Sequence, residues 1–271
     1  MFKFTESQSL SSFNLPFSDV TSLTEEIRKH ILNLFEEHVF GSSPRTDFSI
    51  SSEILEEGGW KDWGRKQVKI SITSSGNEFS FIVLIYQPKV KQPVPVFLCL
   101  NFSGNHTVSE DEKIILPQEY YRKKHSPPKE FRGEKASNYP VEEIVASGYA
   151  FATVYAGDID PDKRDKFDEG VRAIFTQPYS WGTIAAWSWG LSRVADYLET
   201  DSCIDNSKVV VVGHSRMGKA ALWAAAQDNR FAMAISNNSG CTGASLTRHE
   251  FGETIAQITT SFPHWFIPSY A

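Results

Sequence analysis

One stretch decides the fold: Lys208-Val-Val-Val-Val-Gly-His-Ser-Arg-Met-Gly-Lys-Ala-Ala-Leu-Trp-Ala-Ala-Ala226. Its composition predicts a strand, a tight turn and a helix in succession. Its four consecutive valines are β-branched and apolar on both faces, as in a strand buried within a parallel sheet. The alanine-rich segment at its end favours helix. Gly213 and Gly218 flank Ser215 between the two, so we predict that the serine lies on the turn.

A serine on a tight turn between a buried strand and a helix is typical of the nucleophile elbow of α/β-hydrolases. The turn raises the hydroxyl above the sheet and directs the first free N–H groups of the helix toward any oxyanion that forms there. The usual spacing is Gly-x-Ser-x-Gly, whereas the second glycine here comes one residue late. The alternative is a Rossmann-type strand, turn and helix in which Ser215 only caps the helix.

The composition narrows the class of protein. The 271 residues are 41% hydrophobic and 22% charged, as in ordinary globular proteins, and the net charge of −6 does not favour nucleic-acid binding. No apolar stretch reaches membrane-spanning length, and the N-terminus lacks the layout of a signal peptide. Three scattered cysteines form neither a disulfide framework nor a metal motif: Cys99, Cys203 and Cys241. We expect a monomer without metal or cofactor and without a nucleic-acid or membrane partner.

Strands and helices alternate along the chain. Residues 1–22 are predicted as an irregular N-terminal arm, and residues 23–271 as one α/β-hydrolase domain that lacks its last strands. Within this domain we predict strands at 67–73, 79–86, 95–101, 148–156, 209–212 and 231–235, the first two as a hairpin, and helices at 24–38, 141–147, 181–198, 220–226 and 251–260. This order predicts a mostly parallel sheet flanked by helices, a three-layer sandwich.

Three polar or aromatic features carry further expectations. Residues 108–137 are predicted as a long surface excursion, and the acidic residues 157–165 as a solvated loop at the carboxyl edge of the sheet. Trp187 and Trp189 could line a sugar site, but on a helix behind the sheet we favour packing in the core.

A serine nucleophile needs a base that takes its proton, and the base needs a third group that holds it. In α/β-hydrolases that base is a histidine late in the fold. Two histidines follow the serine, His249 and His264, and both come too early, while His214 beside it points the wrong way. We therefore expect the catalytic histidine to lie beyond Ala271; recruitment of His264 is the alternative.

A series of segments is distributed over residues 101–266: Asn101–Thr107, Tyr155–Asp162, Trp181–Gly190, Gly213–Gln227, Ile235–Ala244, Phe251–Thr254 and Phe262–Phe266. In sequence and in order they closely resemble segments of the bacterial glucuronoyl esterases, carbohydrate esterase family 15. The resemblance also accounts for the late glycine, because this family carries Ser-Arg-x-Gly-Lys at the elbow.

The resemblance implies a serine carboxylesterase that hydrolyses esters between 4-O-methyl-glucuronic acid on glucuronoxylan and lignin alcohols, through an acyl-enzyme. By position, Ser215 resembles the nucleophile, and Arg216 resembles the residue that supplies oxyanion donors through its guanidinium and its backbone N–H. Lys219 and Glu253 match positions that hydrogen-bond the sugar hydroxyls. The alternative is that Lys219 is a solvated helix residue and Glu253 an ordinary helical carboxylate. The family suggests a secreted or periplasmic protein.

The sequence departs from the family pattern in three ways. Asn238 stands where fungal members carry the glutamate of the triad, and an amide cannot hold an imidazolium as a carboxylate does. His214 replaces a disulfide-bonded cysteine before the serine. Family members are also longer, with their catalytic histidine beyond the last residue here. We therefore expect the 271-residue chain to be inactive or nearly so; the alternatives are an acetyl-xylan or feruloyl esterase, and a non-catalytic carbohydrate-binding homologue.

Overall fold

The computed structural model describes residues 24–117, 131–175, 180–247 and 252–270. The predicted N-terminal arm, residues 1–22, lies outside the described residues, and so does His249. No helix in these described ranges is both long and apolar enough to cross a membrane.

A seven-stranded mixed sheet lies at the centre of the molecule. Its strands in chain order are β1 (Ser49–Trp60), β2 (Trp63–Ser74), β3 (Asn77–Pro88), β4 (Val94–Asn101), β5 (Ala150–Tyr155), β6 (Ile204–His214) and β7 (Phe231–Asn237). Across the sheet they run β1–β2–β3–β5–β4–β6–β7. The strands β5, β4, β6 and β7 are parallel, whereas β1, β2 and β3 form antiparallel ladders that join the rest through β5. The carboxyl ends of the four parallel strands therefore meet at one edge.

Helices flank the sheet. The α-helices are α1 (Glu25–Phe35), α2 (Val141–Ala146), α3 (Ala156–Ile159), α4 (Thr183–Leu198), α5 (Arg216–Gln227) and α6 (Ile255–Ser261), and a π-helical turn over Glu36–Phe40 continues α1. The long helices α4 and α5 pack against the first face of the sheet, and α2 packs against the second face. The predicted fold class is confirmed, and so are the predicted hairpin and the helix behind the sheet.

Each face of the sheet has its own hydrophobic cluster. The larger cluster, under α4 and α5, contains Leu98, Val211 and Trp187, which has no exposed surface, and Trp189 packs there as predicted. The smaller cluster, under α2, contains Leu84 and Cys99 among others. On this second face the cover ends before β7, so Met233 is 57% exposed and Ile235 39% exposed. We call these two side chains the β7 strip.

Strand β1 is an element that the sequence does not predict. Nearly all of its residues are exposed, and it is rich in serine, glutamate and glycine. Because β1 is an edge strand without a buried face, it shows none of the alternation that marks a half-buried strand.

The expectation that residues 108–137 form a surface excursion is wrong for their first part. Val108, Asp111 and Ile114 are buried against the second face of the sheet. The Asp111 carboxylate accepts hydrogen bonds from Arg65 (2.6 Å) and from the Tyr86 hydroxyl (2.9 Å). A charged residue can be buried there because an equally buried guanidinium pairs with it. Residues 118–130 lie outside the described ranges.

Candidate active site

Ser215 occupies the single residue between the end of β6 and the start of α5. Its backbone has φ 56° and ψ −125°, a conformation that disfavours any side chain and is often found at functional sites. The backbone N–H donates to the Asn237 carbonyl (2.9 Å), and the Ser215 carbonyl accepts from Gly218 (2.9 Å) and Lys219 (3.2 Å). The side chain makes no capping bond to the helix, so the interpretation of Ser215 as a helix cap is wrong. Its partly exposed hydroxyl stays at the carboxyl edge of the sheet.

Two close approaches explain the glycine spacing around Ser215. A methyl group on Gly213 would lie 2.0 Å from the Met217 carbonyl oxygen, so the strand and the first turn of the helix touch there. A methyl group on Gly218 would lie 3.1 Å from the Gly213 carbonyl oxygen and 3.0 Å from the Ser236 hydroxyl. A side chain at position 213 would therefore overlap the backbone, and one at position 218 would be tight against the neighbouring strands.

Arg216 follows the serine in the chain, and one carboxylate and two aromatic rings hold its guanidinium. Its Nη1 donates to Asp162 Oδ2. The guanidinium carbon lies 5.0 Å from the ring centre of Phe262 and 4.6 Å from that of Trp265, within cation–π range. The Nε atom is buried and has no partner among the described residues. The side chain is thus positioned and retains a donor that no described residue uses.

Asp162 joins three groups of the site. Its Oδ1 accepts hydrogen bonds from His264 Nε2 (2.9 Å) and Trp265 Nε1 (2.7 Å), while Oδ2 accepts from Arg216. Burial by itself would raise the pKa of Asp162, but the hydrogen bonds from His264 and Trp265 and the positive charge of Arg216 outweigh it and lower this pKa. The carboxylate is therefore charged at neutral pH and holds the guanidinium.

The expectation of a solvated acidic loop at residues 157–165 is wrong for its first part, whereas Asp165 at its end is exposed and the loop does follow β5 at the carboxyl edge. Asp160 has no exposed surface, and its carboxylate accepts two hydrogen bonds from Arg172, at 2.9 and 2.8 Å. Asp160 anchors the loop, which in turn presents Asp162 to the elbow. The position of the loop after a central strand could have indicated a functional loop. The partners of Asp162 lie far away in the chain, so the sequence does not show that this carboxylate is paired.

The histidines near the serine do not reach it. His264 hydrogen-bonds Asp162 rather than Ser215, and no side chain in the described ranges hydrogen-bonds the Ser215 hydroxyl. His214 lies on the second face of the sheet, where it lines a cavity with Phe97 and Val212. Among the described residues, Ser215 is therefore followed by the cation Arg216, and no histidine hydrogen-bonds the Ser215 hydroxyl.

Lys219 lies one helical turn after Ser215, and its side chain is buried. The alternative interpretation of Lys219 as a solvated helix residue is therefore wrong. Its ammonium donates to the Ser239 carbonyl and lies 5.9 Å from the Trp265 ring centre. Burial lowers the pKa of Lys219, and the Arg216 charge acts in the same direction, while the carboxylate of Glu253 opposes the shift. Glu253 itself is exposed. The two predicted sugar-binding residues thus carry opposite charges that interact across the site.

The loop after β4 is held by its own first residue. The Asn101 side chain accepts from the N–H groups of Ser103 (3.3 Å) and Gly104 (2.8 Å) and donates to Asn105 (2.7 Å). These two amides are therefore occupied. The first turn of α5 directly follows Ser215, and the first N–H groups of a helix have no partners within it.

Known proteins share this sequence and geometry. A family model described as fungal glucuronyl esterase matches residues 103–262. A carbohydrate esterase from an unidentified prokaryote is 43% identical over 258 residues, which are 88% of this chain and 59% of that protein. The chain thus spans less than two thirds of the length of this curated relative. The 4-O-methyl-glucuronoyl methylesterase of Neurospora crassa is 36% identical over 108 residues, 36% of this chain and 27% of that protein.

The fold is shared with solved structures as well. A glucuronoyl esterase from Solibacter usitatus superposes with a TM-score of 0.84 at 38% identity, over 93% of this chain and 68% of that one. The family model covers more than half of the chain, and the resemblance found in the sequence is confirmed. The chain belongs to the glucuronoyl esterases, carbohydrate esterase family 15.

Proposed function

We propose that this chain provides the nucleophile and the oxyanion-binding groups of an esterase that hydrolyses 4-O-methyl-glucuronoyl esters, which link glucuronoxylan to lignin alcohols. The observation that carries the proposal is the strained Ser215 at the end of a central parallel strand, followed in the chain by Arg216, whose guanidinium Asp162 holds. The names of the Neurospora crassa and Solibacter usitatus relatives support the substrate class.

In the proposed reaction, the Ser215 oxygen attacks the ester carbonyl and its proton passes to a general base. The carbonyl oxygen becomes an oxyanion, and its collapse releases the alcohol, which takes the proton from the base. Water then attacks the glucuronoyl-serine ester, and the acid leaves with the serine hydroxyl restored. The base requires an imidazole that reaches Ser215, which His264 does not do in the arrangement described.

The oxyanion would receive donors from two sources. The Arg216 guanidinium brings a full positive charge, and charge-assisted hydrogen bonds are roughly twice as strong as neutral ones. The first N–H groups of α5 bring the partial positive charge of the helix N-terminus. Asp162, Phe262 and Trp265 already hold the guanidinium, which supports this proposal, because electrostatic stabilisation of a transition state needs donors that are positioned in advance.

Lys219 and Glu253 would bind the sugar. A buried ammonium that donates to one carbonyl has further protons for the hydroxyls or the ring oxygen of a uronate, and the exposed Glu253 carboxylate can accept from hydroxyls. An acetyl-xylan or feruloyl esterase needs neither contact, so these residues favour the glucuronoyl substrate.

The test is hydrolysis of benzyl glucuronate, acetylated xylan and methyl ferulate by the full-length gene product. We expect benzyl glucuronate to be the preferred substrate, Ser215→Ala to lower its turnover by about a thousandfold or more, and the exposed Ser245→Ala to leave it unchanged. Lys219→Met should raise KM about tenfold through the lost charged hydrogen bond.

Two results would contradict the proposal. Turnover that survives Ser215→Ala removes the nucleophile assignment, and a preference for acetyl or feruloyl esters removes the substrate class. Binding of glucuronoxylan oligosaccharide by a wild-type protein that hydrolyses none of the three esters would establish the non-catalytic alternative instead.

A further inference from the structure

A groove on the side of the molecule away from Ser215 combines aromatic and carboxylate side chains. It has a volume of about 600 Å³ and lies between the tip of the β1–β2 hairpin, residues 108–110 and α2. Its walls include Trp60, Trp63 and Tyr139 together with Glu110 and Glu142. We call it the hairpin groove.

The hairpin groove lies far from the elbow. Trp63 pairs with Pro88 at the end of β3, and Tyr86 of that strand pairs with Phe151 near the start of β5. The groove is therefore at the amino end of the parallel strands, whereas Ser215 is at the carboxyl end. Four strand spacings, about 19 Å, also separate β2 from β6 across the sheet. A ligand in the groove and an ester at Ser215 would be bound at separate places.

The two tryptophans form a fixed aromatic surface. Trp60 and Trp63 are directly opposite each other in the last pair of the β1–β2 ladder, so they share one face of the hairpin. The Trp60 ring lies 5.3 Å from the Tyr86 ring, and the Lys61 ammonium lies 4.7 Å from the Trp60 ring centre. Lys61 also pairs with Glu142 of α2 (2.5 Å), which ties the hairpin tip to the opposite wall.

One polar group in this wall has no partner. The Trp63 indole N–H is buried and finds no acceptor among the described residues. Buried tryptophans normally satisfy this donor, because an unpaired N–H costs about 1 to 3 kcal/mol. Both tryptophans are only partly buried, so core packing does not use their whole surface. A ligand with hydroxyl oxygens could supply the acceptor after a small movement of the ring.

The chemistry of the hairpin groove fits a neutral sugar chain. Sugar rings place their apolar C–H faces on aromatic rings and direct their hydroxyls sideways, where carboxylates accept hydrogen bonds. Three carboxylates line the groove, from Glu110, Glu142 and Glu143, against one ammonium that is already paired with Glu142. The excess negative charge opposes uronates, phosphates and other anions. The volume is in the range of sites that enclose a small-molecule ligand, enough for a few linked sugar rings.

We propose that the hairpin groove is a second carbohydrate site that binds an unsubstituted, neutral stretch of a xylan-type polysaccharide. The identity of the polymer rests on the proposed function, whereas the neutral sugar class rests on the groove itself. One polymer held at both places is retained by the second contact when the first releases, which raises the overall affinity without new contacts at Ser215.

The experiment is a calorimetric titration of the full-length gene product with xylohexaose. We expect Trp60→Ala to weaken binding at least about tenfold, as the loss of one stacking surface of 1.4 kcal/mol or more would. Tyr149→Ala is the matched control, because this exposed aromatic residue lies at the same end of the sheet outside the groove. It should leave both the binding and the hydrolysis of benzyl glucuronate unchanged.

Further measurements separate the outcomes. Excess glucuronic acid should not displace xylohexaose; displacement would assign the binding to the site at Ser215 and overturn the proposal. If Trp60→Ala does not fold, Glu110→Ala at an exposed position provides the same test. Unchanged xylohexaose binding in both Glu110→Ala and Trp63→Phe would overturn the proposal. Xylohexaose binding that depends on Trp60 in a protein without glucuronoyl esterase activity would leave the hairpin groove standing and remove only the proposed function.

Discussion

The contact between Asp162 and Arg216 can be removed almost alone by Asp162→Asn. In the wild type one carboxylate oxygen accepts from both His264 and Trp265, and the other accepts from Arg216. An asparagine can keep its carbonyl oxygen toward His264 and Trp265 and must then place its NH₂ group against the guanidinium. Two donors would face each other, so we expect Arg216 to lose its fixed position while the rest of the junction stays.

The structure sets the size of this effect. A hydrogen bond to a charged group is worth about 1.5 to 3 kcal/mol, and the two side chains here are 27% and 29% exposed, so solvent screening reduces the value to about 1 to 2 kcal/mol. If the guanidinium must be held to stabilise the oxyanion, kcat/KM falls by about 5- to 30-fold. Complete loss of an oxyanion donor, as expected for Arg216→Ala, should cost about 100- to 1000-fold.

The assay is steady-state hydrolysis of benzyl glucuronate by the full-length gene product. The loss should fall mainly on kcat, because the proposed role of Arg216 is in the transition state. Asp165→Asn, an exposed position in the same loop, should match the wild type. Wild-type kcat/KM in Asp162→Asn, together with a large loss in Arg216→Ala, would refute the idea that this carboxylate positions the guanidinium.

Two further predictions concern stability and are read from urea unfolding. Gly213→Ala should lower the free energy of unfolding by about 3 kcal/mol, since its methyl group would overlap a backbone carbonyl at 2.0 Å. Gly240→Ala is the control: its methyl group meets no atom within 4 Å, so it should lower this free energy by only about 1 kcal/mol, through its positive φ. Equal losses in the two variants would contradict the packing argument. Lys66→Met should cost about 3 to 5 kcal/mol at neutral pH because it leaves the buried Asp201 carboxylate without its ammonium, now at 2.7 Å. Burial alone would raise the pKa of Asp201, but several contacts, led by the hydrogen bond from Lys66, outweigh burial and lower this pKa. The stability from the pair is therefore present above the usual carboxyl pKa of about 4, and it disappears as the pH falls through the lowered pKa. The exposed Lys208→Met should cost less than about 0.5 kcal/mol at any pH, and a matching loss there would refute the role of burial.

The sequence predicts the parts of this site whose signal is local. The valine run, the two glycines and the alanine-rich helix are contiguous, and each follows from backbone geometry, so the position of Ser215 could be predicted. Asp162 could not, because a carboxylate in a polar loop has the same local sequence whether it is solvated or paired. Its partners are 54 and 102 positions away, and only the folded chain brings them together. Asp111 was missed for the same reason, since Arg65 is 46 positions distant.

Strand β1 shows the complementary limit. Its burial pattern has no period because neither face is covered along most of its length, and eight of its twelve residues are serine, glutamate or glycine, which favour turns and solvent. What makes it a strand is the ladder to β2, which runs from Ser49 to Trp60. Pairing with a neighbour is a tertiary property, so no local pattern in residues 49–60 indicates it.

The two edges of the sheet differ in what they offer to another polypeptide. Along β1, the exposed Ile54 and Leu55 lie among exposed glutamates such as Glu53 and Glu57, which repel an approaching strand, whereas the β7 strip belongs to an edge strand without a charged residue. Two copies of the chain can therefore extend one another's sheet through β7 when nothing else covers it. In contrast to the monomer expected from the sequence, self-association of the 271-residue chain should therefore increase with its concentration, and a single charge introduced by Met233→Lys should suppress it without loss of the fold.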